Sequence, residues 1–111
     1  MSSPSYKSRF TYDTIRSRDS ATFTGSYQTL GSALTHEARI VKVVNNSNVT
    51  ATISIDGVND HDILPMGSFV LYDCSSDREN SNIFEIPEGT QFYVKGIAGA
   101  GLVYLTVIYA S

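Results

Sequence analysis

Thr50-Ala51-Thr52-Ile53-Ser54-Ile55-Asp56-Gly57 is the stretch that decides the fold class. Ile53 and Ile55 alternate with Thr52, Ser54 and Asp56, and side chains of an extended chain point to opposite faces in turn, so one face meets a core and the other meets water. Asp56-Gly57 then breaks the run with residues that tolerate left-handed backbone angles. Working outward, Asn45-Asn46-Ser47-Asn48 supplies an equivalent break on the N-terminal side. Pro65-Met66-Gly67 and Pro87-Glu88-Gly89 share one turn grammar, Pro presetting the first central residue of a type I turn and Gly following the second. Between such breaks, β-branched and aromatic runs predict strands at 22–30, 39–45, 49–56, 68–74, 82–86, 90–95 and 102–110, with a further one from 9–16. Helical spacing is sustained nowhere over a dozen residues, and at most one turn fits around Ala33 to Ala38. The expectation is an all-β chain: a single antiparallel two-sheet β-sandwich, jelly-roll-like, over residues 21–111, preceded by an N-terminal arm over 1–20. Alternation assigns Ile53, Ile55, Phe69, Leu71, Phe92, Val94, Leu105 and Val107 to its core.

Composition narrows the function classes. The 111 residues are 41% apolar, enough for one core, and only 17% charged, so the surface is rich in Ser, Thr and Asn. A net charge of −3 argues against a nucleic-acid binder, which needs clustered Lys and Arg. No run reaches the length of a membrane span, and Met1 to Phe10 lacks the apolar segment of an export signal, which implies a soluble, unexported protein. The single Cys74 forms no intrachain disulfide, and with His36 and His61 it falls short of a zinc site.

Charge is distributed unevenly. Residues 1–20 carry four basic and two acidic side chains, a balance of +2; residues 21–111 carry four and nine, a balance of −5. The arm is Ser-rich, and Tyr6, Phe10, Tyr12 and Ile15 are too sparse to bury a face within it. The last strand poses the complementary problem. Val103, Leu105, Val107 and Tyr109 form one apolar row, and Leu102, Tyr104 and Ile108 form a second on the opposite face, so something must cover that second row. Phe10, Tyr12 and Ile15 are suited to do so, on the same subunit or by crossing to the next. Phe10, Tyr12, Ile15, Leu102, Tyr104 and Ile108 are therefore the candidate subunit interface.

No catalytic set is legible. Asp56-Gly57-Val58-Asn59-Asp60-His61-Asp62 is dense in oxygen donors, yet its spacing is not that of a calcium loop, and the neighbours of His61 point away from it in an extended segment. It reads as a solvated loop with turn-capping Asp and Asn. Cys74 closes an apolar strand without an activating partner, and Gly96 to Gly101 lacks the Lys-Ser/Thr of a phosphate loop. The expected inventory is no catalytic residues, no cofactor and no metal. Tyr27, Tyr72, Tyr93 and Tyr104 leave a carbohydrate-binding module as the alternative, which requires several of them on one exposed face.

Four segments in order, Ile40 to Ser47, Ile53 to Phe69, Gly89 to Gly96 and Val103 to Tyr109, resemble the small β-sandwich virion structural proteins of tailed bacteriophages. The resemblance covers roughly residues 28–110. It implies a non-enzymatic building block present in many copies in the virion, as a capsid decoration, neck or tail component. Its partners would be itself, as a homo-oligomer, and other virion proteins, without nucleic acid or membrane.

Overall fold

The computed structural model describes residues 10–74 and 85–110. They form nine strands: β1 (Phe10–Tyr12), β2 (Arg16–Asp19), β3 (Gln28–Thr29), β4 (Ala38–Ser47), β5 (Ala51–Ser54), β6 (Asp62–Leu64), β7 (Phe69–Asp73), β8 (Tyr93–Lys95) and β9 (Gly101–Ala110). Every pairing is antiparallel. The pairs nest: β5 lies on β6, β4 on β7, β3 on β8, and β1 and β2 both lie along β9. The chain is thus one long hairpin, its tip at residues 55–61, wrapped so that β4 also meets β9 and β5 also meets β8. The result is a β-sandwich with the nested pairing of a jelly roll. One sheet runs β1/β2-β9-β4-β7 and the other β3-β8-β5-β6.

The core lies between the sheets. Val41, Val43, Val103, Leu105 and Val107 from the first sheet meet Ala51, Ile53, Leu64 and Val94 from the second, with Leu30, Ile86 and Phe92 closing the ends. Ile53, Phe92, Val94, Leu105 and Val107 are buried as their alternation requires. Ile55, Phe69 and Leu71 are not, at 37%, 63% and 52% exposed. β5 ends at Ser54, so alternation no longer positions Ile55. In β7 the pairing of Val70 with Val43 and of Tyr72 with Val41 turns Val70 and Tyr72 inward, which sends Phe69 and Leu71 outward.

Other departures from the sequence reading are local. Of the expected strand at 22–30 only Gln28–Thr29 pairs, because Ser20–Thr22 forms a 3-10 turn whose Ala21 N–H is capped by the Asp19 side chain. The segment around Ala33 to Ala38 is not helical; Leu34 and Ala38 donate their N–H groups to Thr90 and Ile86 instead. β6 arises in a stretch read as loop. Of the expected strand at 82–86, residues 82–84 lie outside the described residues, and Glu85 and Ile86 are not in a strand. β4 runs through Asn45 and Asn46 to Ser47, so these residues do not form the turn expected of them. The two Pro turns close one residue later than expected. Pro65 O accepts from Ser68 N–H and Pro87 O from Thr90 N–H, placing Gly67 and Gly89 third in each turn with φ of +77° and +92°, the geometry of a type II turn.

Candidate functional site

The backbone of the arm docks as strand, not as a cover. β1 and β2 extend the first sheet sideways along the chain's own β9, with Tyr12 opposite Ile108 and Arg16 opposite Leu105. Between those pairs the arm advances four residues to three on β9, a bulge that holds Ile15. The expectation that the arm lies over the second apolar row of β9, or crosses to a neighbour to do so, is not what residues 10–19 do. Their arginines are engaged within the chain. Arg16 is buried and donates to the carbonyls of Thr14, Ser32 and Ala33 and to Asp13, while Arg18 donates to Thr29 O and Thr22 Oγ1. Gly31, at φ +73°, passes so close that a Cβ there would stand 2.4 Å from Arg16 Cβ.

Sideways docking enlarges the apolar row instead of hiding it. The register sets Phe69 beside Val44, Val44 beside Tyr104, and Tyr104 beside Ser17; the next rows read Leu71-Lys42-Thr106 and Asp73-Ile40-Ile108-Tyr12. Asn46-Leu102-Asp19 and Ala110-Phe10 complete the outer face of the first sheet. Of the sequence-derived candidates, Phe10, Tyr12, Leu102, Tyr104 and Ile108 thus share one face, and Ile15 lies in the bulge at its margin. Phe10, Tyr12 and Ile15 are 52%, 72% and 59% exposed, and the three β9 residues are partly buried. Sequence reasoning missed Ile40 and Val44 and assigned Phe69 and Leu71 to the core. The signal was present in Ile40-Val41-Lys42-Val43-Val44, apolar on both faces like β9.

This face is large for an uncovered surface. Since an aromatic side chain buries about 150–250 Å² when enclosed, Phe10, Tyr12, Ile15, Phe69 and Leu71 leave roughly 500 Å² in reach, about the largest patch of an ordinary monomer. Adding the partly exposed Ile40, Val44, Leu102, Tyr104 and Ile108 brings it to about 700–800 Å², close to one partner's share of a stable interface. Among the residues in these rows Lys42 is the one cation, and Asp19 and Asp73 stand at opposite corners.

The remaining candidates are dispersed. Asp56 accepts from the N–H groups of Val58 and Asn59, from the Asn59 side chain and from Ser54 Oγ; these bonds hold its carboxyl well below the usual range. It is a turn cap, as read. The loop around it is nevertheless tied down: Asp60 accepts from Tyr27 and pairs with Lys95 at 3.2 Å, and Lys95 lies 4.6 Å from the Tyr27 ring centre. His61 accepts Ile55 N–H and stands 3.9 Å from Asp56 in an exposed position. It borders a cavity of about 240 Å³ whose polar pair, Tyr72 and Asp62, is closed on itself by a hydrogen bond. His36 stacks on Tyr109 at 3.7 Å. Among the described residues no three His, Cys, Asp or Glu side chains converge as metal ligands. The four tyrosines do not share a face: Tyr104 is on the outside of the first sheet, Tyr72 turns toward the core, Tyr93 lies under Gly57, and Tyr27 is held by Asp60. No family model matches the chain, and neither the curated proteins nor the solved structures compared with it contain a match.

Proposed function

We propose that this protein is a non-enzymatic structural component of a tailed-phage virion, assembling in several copies through the outer face of its first sheet. One observation carries the reading: that face is predominantly apolar from β7 across β4 and β9 to β1, although a sheet face left in water is ordinarily polar. The order of the four sequence segments supports the virion setting, and an assembly surface without a convergent acid, base or ligand set supports a structural role. Capsid decoration, neck and tail each accommodate such a block. A carbohydrate-binding module would need several free tyrosines on one surface, whereas Tyr104 is outside the first sheet, Tyr72 turns toward the core, and Tyr27 and Tyr93, on the outer side of the second sheet, are engaged by Asp60 and Gly57 of the 55–61 loop. A mass-spectrometric inventory of purified particles produced by the encoding genome tests the reading. The chain is expected there in many copies per particle, and its absence from intact particles would end the virion assignment.

A further inference from the structure

The first sheet ends at β7 in an edge whose hydrogen-bonding groups are open. Asn45 N–H donates to Ser68 O, and Cys74 N–H to Arg39 O. With Val44 opposite Phe69, those two contacts fix the alternation of the antiparallel ladder. Val70 and Tyr72 exchange backbone bonds with Val43 and Val41, and the N–H and C=O groups of Phe69 and Leu71 point out of the sheet. Among the described residues no hydrogen bond reaches the backbone of Phe69 or Leu71. A regular, uncharged edge of this kind is a template for another strand.

The other edges of the sandwich are blunted in the ways sheets ordinarily use. β2 carries Arg16, Arg18 and Asp19, and Gly31 packs against its Arg16. β1 has three residues and is set off from β2 by the bulge. In the second sheet the edge strands β3 and β6 are two and three residues long. β7, with five residues and no charge before Asp73, is the edge among the described residues best fitted to accept a strand.

We propose that the β7 edge pairs with the β7 edge of a second copy of this chain, antiparallel across a two-fold axis at Val70. The register follows from what each alternative would oppose. An axis at Leu71 sets the Phe69 ring against the second copy's Asp73. An axis at Phe69 sets Leu71 against Gly67, whose N–H already donates to Asn45 O. With the axis at Val70, Phe69 of each copy exchanges both backbone bonds with Leu71 of the other, and ring and isobutyl group lie side by side on the outer face. The two Asp73 carboxylates fall at opposite ends of the pair, about 20 Å apart, where salt screens their repulsion. Charge, register and backbone complementarity thus all fit a like strand. Two five-stranded sheets become one, and the apolar face continues across the axis. The contact is isologous and closes at two copies, which leaves that face for further contacts.

This inference rests on the proposed self-assembly and names a contact within it, and two variants separate the two. Leu71→Pro removes an N–H that only the second copy would use, at a position where edge strands accept Pro; Leu71→Ala loses the side chain and keeps the N–H. Thermal melts check that each is folded. By sedimentation equilibrium Leu71→Pro is expected to associate about 30-fold more weakly than Leu71→Ala, two bonds being lost per pair. Equal association of the two variants would overturn edge pairing and leave assembly through the face standing. A wild-type chain that is monomeric at every concentration would remove both. Residue-resolved hydrogen exchange of the wild type decides without either variant. The Phe69 and Leu71 N–H groups are expected to be protected in the assembled protein and to lose that protection on dilution to monomers. Fast exchange at both in the assembly, or protection that persists in the monomer, would overturn the pairing.

Discussion

Asn45 shows how a single polar residue organises one end of this sandwich. Its side chain is fully buried, donates to the carbonyls of Val49, Leu64 and Pro65, and accepts from the N–H and Oγ of Ser47. It thereby joins the β4–β5 turn to the β6–β7 turn. Asn45→Ala is expected to cost about 1–3 kcal/mol in urea unfolding because buried carbonyls lose their donor, whereas the exposed neighbour Asn46→Ala should stay within about 0.5 kcal/mol. Equal effects would deny Asn45 this bracketing role. The sequence marked Asn45 as a turn former, since Asn-Asn-Ser-Asn reads alike whether its side chains bond locally or across the core. Tyr27 and Tyr72 make a second residue-scale case. Burial, then a hydrogen bond donated to Asp60 or Asp62, raises both phenols above the ordinary value of 10.0. A folded-state pKa raised above the unfolded one contributes stability that is complete below about pH 10 and is lost as pH rises further. Absorbance titration should therefore find two tyrosines that ionise only as the chain unfolds. Ionisation of every tyrosine near pH 10 with the fold intact would refute these contacts.

Among the elements, β7 and the β1/β2 pair mark where sequence patterning stops being sufficient. Phe69-Val70-Leu71-Tyr72 is apolar at every position, so period two defines two faces without saying which is inside; only the pairing with β4 decides. β9 has the same ambiguity, yet its choice of Leu105 and Val107 was legible because three consecutive inward positions are β-branched or leucine. Leu105→Ala is expected to cost about 2–5 kcal/mol as a cavity in the core, while Phe69→Ser and Leu71→Ser in the monomer should each fall within about 0.5 kcal/mol. Chemical denaturation of the three variants checks the register directly, and a large cost at Leu71 would return it to the core. β1 and β2 were less legible. A Ser-rich, charged segment joins a sheet through backbone hydrogen bonds, which leave little trace in side-chain pattern, and the bulge at residues 13–15 interrupts what alternation there is. Arg16 then anchors the pair, so Arg16→Ala should lower the melting temperature by several degrees.

For the whole molecule, nested pairing of first with last strands brings segments far apart in sequence onto one face. That is why the interface could be only half read in advance. The second row of β9 was evident from its own alternation, but its continuation through Val44 and Ile40 to Phe69 and Leu71 depends on β4 lying between β9 and β7. A monomer built this way satisfies its core and leaves the outside of the first sheet apolar, and a second copy is the partner that the proposed assembly supplies. Sedimentation equilibrium of the wild-type protein over a wide concentration range measures this most directly. The account predicts a mass that rises above the 12.1 kDa of one chain to a defined multiple or a growing series, and that returns toward 12.1 kDa when Phe69 and Leu71 carry charge. A wild-type mass of 12.1 kDa at every concentration would contradict it.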